Sequence, residues 1–195
     1  MRLWRMGIVG LIYGMFWRWY SGSGKPLTQD EIAQAMAVLE ERGGDAAALA
    51  RIRAFLESDT RRSFVMVNLI KLQDAPEARA TLNRYSSVFL PRLLRRAGHP
   101  ILTGQVAARA MEVWGLADGE EWSSVGLVRY RSRRDMLAAV IEARFAEVHP
   151  FKQTAIEKTI AVPADPWFHL GDPRVTGGLL ALVVVLFFRR VPERR

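Results

Sequence analysis

Few side chains in this sequence are suited to catalysis or to metal binding. There is no cysteine, and the histidines are His99, His149 and His169, whose spacing does not suit a shared metal ion. Glu142 and Glu147 are five residues apart, so they align poorly on one helix face. We therefore expect no metal site, no cofactor and no thiol chemistry. Whether the protein is an enzyme stays open, and these residues favour a protein that is not one.

Four side chains are candidates for lining a ligand cavity: Asn68, Arg109, Trp122 and Tyr130. Asn68 is an amide among apolar residues of a predicted strand, and a buried amide needs hydrogen-bond partners. It is therefore either a structural amide with its hydrogen bonds satisfied, or a residue with a catalytic or ligand-binding role. Arg109 and Tyr130 could hold an acidic or aromatic small molecule, or they could lie on a solvated face and in the core.

The net charge of +8 does not by itself indicate binding to nucleic acid. Residues 28–162 carry 19 basic and 17 acidic side chains, a net of +2, whereas the two ends carry 9 basic and 3 acidic, a net of +6. Acidic residues accompany the central arginine clusters, which are Arg92/Arg95/Arg96 and Arg129/Arg131/Arg133/Arg134. We expect no nucleic-acid partner, because the basic excess lies beside apolar terminal stretches.

The N-terminal stretch Leu3–Tyr20 has the composition of a membrane-spanning helix. As a helix it would be about 27 Å long, against about 30 Å of hydrocarbon. Bulky Trp19 and Tyr20 precede SGSG, which favours a retained span over residues 1–20 and a linker over 21–27, rather than a cleaved signal peptide. The expected interface anchors are Trp4, Arg5, Trp17, Arg18, Trp19 and Tyr20.

The C-terminal region predicts a second span at 173–190, after a linker at 164–172. Asp172 and Pro173 are typical of a helix start, and about 14 apolar residues then lead to the anchors Arg189 and Arg190. A basic tail follows at 191–195. The short apolar run leaves a buried core helix as the alternative.

Small residues occur on one face of each predicted span. They are Gly7, Gly10 and Gly14 in the first, and Gly177, Gly178 and Ala181 in the second. Such faces let helices approach closely, so the two ends could pack together or against foreign membrane helices. The simpler interpretation is that glycine is common in membrane helices.

The arginine distribution predicts an orientation. Basic residues are more numerous near the two termini than near the inner ends of the spans. The positive-inside rule then predicts an inner-membrane protein with cytoplasmic termini and a periplasmic domain. If either stretch lies only in the interface, the domain could stay cytoplasmic.

The central region predicts an α+β domain after a helical hairpin at 28–59. Hydrophobic periodicity predicts the order β-α-β-β-α-β over residues 60–163. The elements are a strand at 63–72, a helix at 76–97, a strand at 101–114, a turn at Asp118-Gly119, a strand at 122–131, a helix at 133–148 and a strand ending near Val162. This is the ferredoxin-like arrangement of dimeric α/β barrels. We expect one sheet face to stay bare and a homodimer to form through it.

Three runs carry a family resemblance: FVMVNLIKL, RYSSVFLPRLLRRAGHPILTGQV and EWSSVGLVRYRSRRDMLAAV. Over about residues 60–163 the chain resembles the uncharacterised DUF1330-like group of dimeric α/β barrel proteins. The group often has Trp-Asp where this chain has Trp122-Ser123, and usually proline at Arg131. The resemblance implies a fold and dimer-like pairing, but no agreed reaction.

The wider superfamily includes haem-degrading monooxygenases, in which an Asn on the first strand works with a Trp and a His. Asn68 and Trp122 could correspond to two of these residues, and the His has no counterpart.

Together these features predict a non-catalytic accessory or structural subunit of a membrane protein complex. Its terminal helices would bind integral membrane subunits, and its α/β domain would cap a neighbour. The alternative is a membrane-tethered protein that binds a small molecule or haem in the barrel cavity, or a monooxygenase-like enzyme.

Overall fold

The computed structural model describes residues 2–115, 121–167 and 171–190. The helices are α1 Arg2–Ser21, α2 Gln29–Glu41, α3 Ala46–Glu57, α4 Ala78–Arg95, α5 Arg133–Ile141, α6 Ala143–Ala155 and α7 Pro173–Arg190. The strands are β1 Phe64–Leu72, β2 His99–Gln105, β3 Ser124–Tyr130 and β4 Ile156–Ala164. The predicted turn at Asp118-Gly119, His169 and the predicted basic tail at 191–195 lie outside the described residues.

The chain divides into two compact units. Residues 24–165 contain α2 to β4, and residues 1–23 with 166–195 contain α1 and α7. The larger unit contains the antiparallel sheet, whose strands lie in the order β2-β3-β1-β4. This is the α+β, ferredoxin-like topology: β1 and β2 are separated by the inserted β3, and β4 pairs with the other side of β1.

One face of the sheet is covered by helices. Phe64 of β1 lies opposite Tyr130 of β3, and their rings stack with centroids 5.1 Å apart. Leu93 of α4 completes this buried cluster, against which Phe55 of α3 also packs. Because side chains alternate along a strand, Met66 and Asn68 point to this same helix-covered side.

The opposite face of the sheet carries apolar side chains, and several of them are exposed in the described part of this unit. Leu102, Ile160 and Val162 are 51%, 43% and 51% exposed. The register places them on one face with half-buried residues of the central strands, which are Val67, Leu69, Val125 and Leu127. We call these seven residues the bare face.

The hairpin of α2 and α3 starts at two well-formed caps. The Thr28 side chain accepts a hydrogen bond from the Glu31 N–H and Glu31 reaches back to Thr28, which is the capping box expected from T-x-x-E. At the start of α3 the Asp45 side chain accepts a hydrogen bond from the Ala48 N–H. The two helices share a core with Leu137 of α5, so they pack against the α/β domain.

The second helix of the domain is two helices, not the single one predicted over 133–148. Glu142 has an extended backbone, φ −56° and ψ 137°, which ends α5 and precedes α6. Its carboxylate accepts a 3.0 Å hydrogen bond from Nε of Arg92, on α4, and pairs with Arg96, which directly follows α4. Arg42 donates to the main-chain oxygens of Val140 and Ile141, the last residues of α5. These partners stabilise the break, and local periodicity does not reveal them.

Strand β2 is shorter than the predicted strand at 101–114. It ends at Gln105, which pairs with Ser124, the first residue of β3. Just beyond this point the Val106 N–H donates a hydrogen bond to the Ser123 main-chain oxygen. The apolar residues that follow, such as Met111 and Trp114, are exposed.

In the smaller unit, α7 packs on the aromatic side of α1. The Tyr13 hydroxyl donates to the Arg174 main-chain oxygen at 2.9 Å. A side chain at Gly178 would meet this hydroxyl at 2.8 Å, and Gly177 lies against Phe16. Ala181 is half-buried on α7. Positions Gly7, Gly10 and Gly14 have open space where a Cβ would point, and the packing predicted for these glycines stays a prediction.

The prediction of a transmembrane helix at each end is wrong. Within the described ranges no helix, α1 and α7 included, is both long enough and apolar enough to cross a bilayer. The physical reason in α1 is that Arg5 and Arg18 leave only Met6–Trp17 uncharged between them, about 18 Å of helix. In α7 the uncharged run is Val175–Phe188, about 21 Å.

The predicted inner-membrane location, with cytoplasmic termini and a periplasmic domain, depended on those spans and falls with them.

The residues expected as interface anchors have other neighbours. Arg5 lies 5.8 Å from the rings of both Trp4 and Phe188. Arg174 lies 5.4 Å from the ring of Trp17, and Tyr20 is buried and stacks on Phe16. Trp19 is partly exposed, Arg18 lies in the last turn of α1, and Arg189 and Arg190 end α7.

Candidate functional site

Asn68 is satisfied by the sheet itself. Its Nδ2 donates to the main-chain oxygens of Met66 and Gly126, both at 3.1 Å. Gly126 is its direct partner on β3, and a Cβ at this glycine would have no neighbour within 4 Å. The geometry fits a structural amide that bridges two central strands.

Tyr130 lies four residues after Gly126 on β3, about 13 Å from this partner of Asn68. Its ring is buried against Phe64, and burial raises the pKa of its hydroxyl to about 12. Tyr130 is therefore a core residue. The structure does not bring it together with Asn68 in one cavity.

Arg109 and Trp122 do lie together, at the end of the sheet where β1 ends and β3 begins. Both line a cleft of about 200 Å³, with Glu121 between them in the lining. Arg109 is exposed and donates to Glu121, with Nη2 2.9 Å from the carboxylate. Lys71 Nζ approaches the same carboxylate at 3.5 Å. The Arg109 hydrogen bond, followed by the charges of Arg109 and Lys71, lowers the pKa of Glu121.

A second cleft, of about 550 Å³, adjoins the first and shares Glu121 with it. It is lined by Lys71, Leu72, Gln73, Asp74, Glu121, Ser123, Glu157 and Lys158. Lys158 Nζ lies 5.4 Å from the centre of the Trp122 ring, a cation–π distance. We call the two adjoining volumes the charged cleft.

Sequence reasoning missed Lys71, Glu121 and Lys158 as site residues. Lys71 and Lys158 are 87 positions apart, and only the β1–β4 register places them opposite each other. The available signal was weak: each is a charged residue at the end of an apolar strand. Such residues most often lie at a solvated edge.

Six arginines of the central clusters have partners within the domain. Arg129 donates to the Ala97 oxygen, Arg131 pairs with Asp135, and Arg92 pairs with Glu142. Arg96 pairs with Glu142, and Arg134 pairs with Glu31. Arg133 donates to the Ser58 hydroxyl and lies over the Phe55 ring. These contacts hold α2 and α3 against α5, and α4 against the turn before α6.

A buried group of titratable residues lies between α4 and α6. Lys152 Nζ lies 5.9 Å from the Tyr85 ring, and His149 stacks on Phe145 at 5.0 Å. Burial lowers the pKa of Lys152 and raises that of Tyr85. Burial, with Lys152 and Arg42 nearby, also lowers the pKa of His149. Neither cleft of the site includes these residues, so we treat them as part of the core.

The described ranges contain no group of three or more His, Asp or Glu side chains arranged to hold a metal ion. The polar side chains of the charged cleft carry ammonium, guanidinium, carboxylate, amide and hydroxyl groups. They are suited to binding charged groups of a small molecule by ion pairing and hydrogen bonding.

Comparison with solved structures identifies the fold. RPA0582, a protein of unknown function from Rhodopseudomonas palustris, matches with a TM-score of 0.51 and 20% identity, covering 64% of this chain and 95% of that one. The methylated RPA0582 protein gives a TM-score of 0.54 and 19% identity, covering 66% and 95%. A dimeric Bacteroides fragilis protein of unknown function with a ferredoxin-like fold has a TM-score of 0.37 and 15% identity, covering 53% of this chain and 96% of that one.

No protein-family model and no curated protein matches the chain. The strand order of the domain, β2-β3-β1-β4, defines its ferredoxin-like α+β topology, and the RPA0582 structures share its fold. Its resemblance to the DUF1330-like group is not shown by these comparisons.

Proposed function

We propose that this protein is a non-catalytic assembly protein, whose ferredoxin-like domain associates with a second copy of itself through the bare face. The observation that carries the proposal is the set of apolar side chains on that face, exemplified by Leu102, Ile160 and Val162. Contiguous exposed apolar surface of this kind marks an interaction site. Pairing two sheets face to face removes it from water.

The size of the bare face suits a dimer. Strands of seven to nine residues, at about 3.3 Å per residue, give a length of about 25 Å, and four strands with their side chains are about 19 Å wide. Each copy therefore offers roughly 500 Å² of flat area. The two faces together give about 1,000 Å², which is the lower bound for a specific interface.

The contacts of the predicted cavity residues support a non-catalytic role. Asn68 donates to strand carbonyls, Arg109 pairs with Glu121, and Tyr130 is packed in the core. We also infer kinship with the DUF1330-like group of dimeric α/β barrels, on the strand and helix runs noted in the sequence. Two-fold pairing through the sheet is what that resemblance implies.

The absence of native cysteine allows a position-specific test. A Val67→Cys variant of the full chain places one thiol near the middle of the bare face, and Ser86→Cys places one on the exposed side of α4. Sheets pack about 10 Å apart, so a short bismaleimide should join the introduced thiols of two Val67→Cys chains and leave the Ser86→Cys control as monomer. Site-specific cross-linking is preferred to mass measurement because α1 and α7 also expose apolar residues.

Adding Leu127→Glu to the Val67→Cys variant should abolish the cross-link, because it places a carboxylate beside position 67 on the bare face. Equal cross-linking at both cysteine positions, or none at position 67, would contradict the proposal.

A further inference from the structure

Helix α1 carries an exposed apolar stripe away from its contact with α7. The contact runs through the aromatic side of α1, where Tyr13 donates to the Arg174 main-chain oxygen and Phe16 lies against Gly177. At about 100° per residue, the stripe lies roughly 140° around the helix from Tyr13 and Phe16. Its members are 42% to 65% exposed, and they are Trp4, Ile8, Leu11 and Met15. We call these four residues the α1 stripe.

Helix α7 carries a similar stripe. Gly177 and Gly178 face α1, since a Cβ on either glycine would meet the ring of Phe16 or Tyr13. A second set of exposed apolar residues lies roughly 120° around the helix from these glycines. Its members are 45% to 59% exposed, and they are Val175, Leu179, Leu182 and Leu186. We call these four residues the α7 stripe.

The spacing within both stripes is that of packed helices. Successive members are four, three and four residues apart. This is the alternation of a and d positions in a heptad, which places side chains along one seam where they fit between the residues of a facing helix. A helix with apolar residues on more than one side is ordinarily buried by more than one neighbour. Each helix therefore has the pattern expected for a second helical partner, beyond the one in its own chain.

The two stripes also match each other in length. Each spans 12 residues, Trp4–Met15 and Val175–Leu186, which is about 17 Å of helix. Because both stripes belong to one chain, a second copy supplies the complement of each. In a two-fold pair the α1 stripe of one copy meets the α7 stripe of the other, and the reciprocal contact follows by symmetry.

The area available on this pair of helices is sufficient for a stable contact between copies. Helices of 20 and 18 residues are about 30 Å and 27 Å long and about 10 Å across, so the pair offers roughly 550 Å² on one side. Two copies together bring about 1,100 Å² into contact, which exceeds the ~1,000 Å² needed for a specific interface. An exposed apolar patch of about 550 Å² is also near the upper limit for a monomer.

We propose that α1 and α7 of two copies associate as a four-helix bundle, in which the α1 stripe of each copy packs on the α7 stripe of the other. This second self-association surface goes beyond the assembly through the bare face and uses none of its residues. A chain with two such surfaces can build assemblies larger than a dimer.

The first test mixes two single-cysteine variants of the full chain, Leu11→Cys and Leu182→Cys, one of which carries a size tag. Packed helices lie about 8–10 Å apart, so a short bismaleimide should give the mixed covalent dimer. Gly10→Cys mixed with Leu182→Cys is the control, because residue 10 is exposed on another side of α1, and it should give little or no mixed dimer. Equal yields from the two mixtures overturn the proposal. No mixed dimer from Leu11→Cys and Leu182→Cys also overturns it, and assigns the stripes to a foreign partner.

The second test adds a charge to the α7 stripe. Leu179→Glu, introduced into the Leu182→Cys variant, should abolish the mixed dimer because it places a carboxylate in the apolar seam. Thr176→Glu, an exposed position outside the stripe, is the control and should retain the mixed dimer. A mixed dimer that persists in Leu179→Glu overturns the proposal, and circular dichroism verifies the helix content of each variant. Leu179→Glu should leave the cross-link at position 67 unchanged, so failure of this proposal is distinguished from failure of assembly through the bare face.

Discussion

Arg129 donates a 2.7 Å hydrogen bond from Nη1 to the main-chain oxygen of Ala97, 32 residues earlier in the chain. Both residues are almost fully buried, and Ala97 has the left-handed φ of 54°. The guanidinium therefore ties β3 to the turn that ends α4. A buried carbonyl at a helix end needs such a partner, so this arginine is structural.

Replacing Arg129 with Met should destabilise the domain by about 2 kcal/mol, because it keeps the apolar stem but leaves the Ala97 oxygen buried without this donor. Urea unfolding followed by circular dichroism measures the free energy of unfolding. Arg51→Met, on the exposed side of α3, is the control and should change it by less than about 0.5 kcal/mol. Equal values for the two variants would show that the hydrogen bond contributes little.

Gly98→Ala tests how tightly the same turn is packed. A Cβ at residue 98 would clash with the Leu93 side chain and lie 2.9 Å from the Arg129 main-chain oxygen. We expect a loss of about 1–3 kcal/mol in the free energy of unfolding. Gly126→Ala is the matched control, since a Cβ there meets nothing within 4 Å. The prediction fails if the two alanine variants unfold at the same urea concentration.

His149 should make stability depend on pH near neutrality. Its folded-state pKa lies below the usual 6.5, chiefly through burial and further through Lys152 and Arg42. The unfolded chain therefore binds the proton more readily, so the stabilisation is complete above pH 6.5 and is lost as pH falls through the folded-state value. Unfolding free energies measured from pH 7.5 to pH 5 should fall, and His149→Gln should flatten that slope. His99→Gln, the control, should retain it.

Glu31 gives a separate prediction at acid pH. Hydrogen bonding from Arg134, with the Thr28 N–H next in importance, lowers the pKa of Glu31 from 4.5 to about 2. Its contribution to stability is present above pH 4.5 and is lost as pH falls towards 2. In Arg134→Gln, carboxyl NMR should report a Glu31 pKa shifted back towards 4.5. An unchanged value would mean that the Thr28 cap alone sets it.

Much of the local structure of the larger unit can be derived from sequence. Thr28 and Glu31 predict the start of α2. Ser132 precedes α5, and its side chain caps the helix by accepting a hydrogen bond from the Asp135 N–H. These are contacts over three residues, so residue type and spacing are enough to predict them. The order of strands and helices along the chain could likewise be predicted from the spacing of apolar residues.

The predictions were wrong where the structure depends on contacts between distant residues, or on the length of the uncharged run in a terminal helix. Glu142 breaks the predicted helix at 133–148 because Arg92 and Arg96, about 50 positions earlier, lie beside it. At the termini, composition and aromatic residues indicated membrane spans. The charges of Arg5 and Arg18 instead shorten the uncharged run of α1.

In the candidate site, too, some features could be predicted from the sequence and others depend on the strand register. Asn68 was recognised from its type and position, and both interpretations of it were available from sequence. Its satisfaction by Met66 and Gly126 depends on the β1–β3 register. The clustering of Lys71 with Lys158 depends likewise on the β1–β4 register.

The sequence by itself determined the α+β class, the order of the strands and helices, and the caps of α2 and α5. Those features depend on interactions between near neighbours and on the burial of apolar residues at regular intervals. Only the tertiary structure decided which charges meet, which sheet face stays bare and where the charged cleft forms. These depend on strand register and helix packing, which join residues tens of positions apart and have no local pattern.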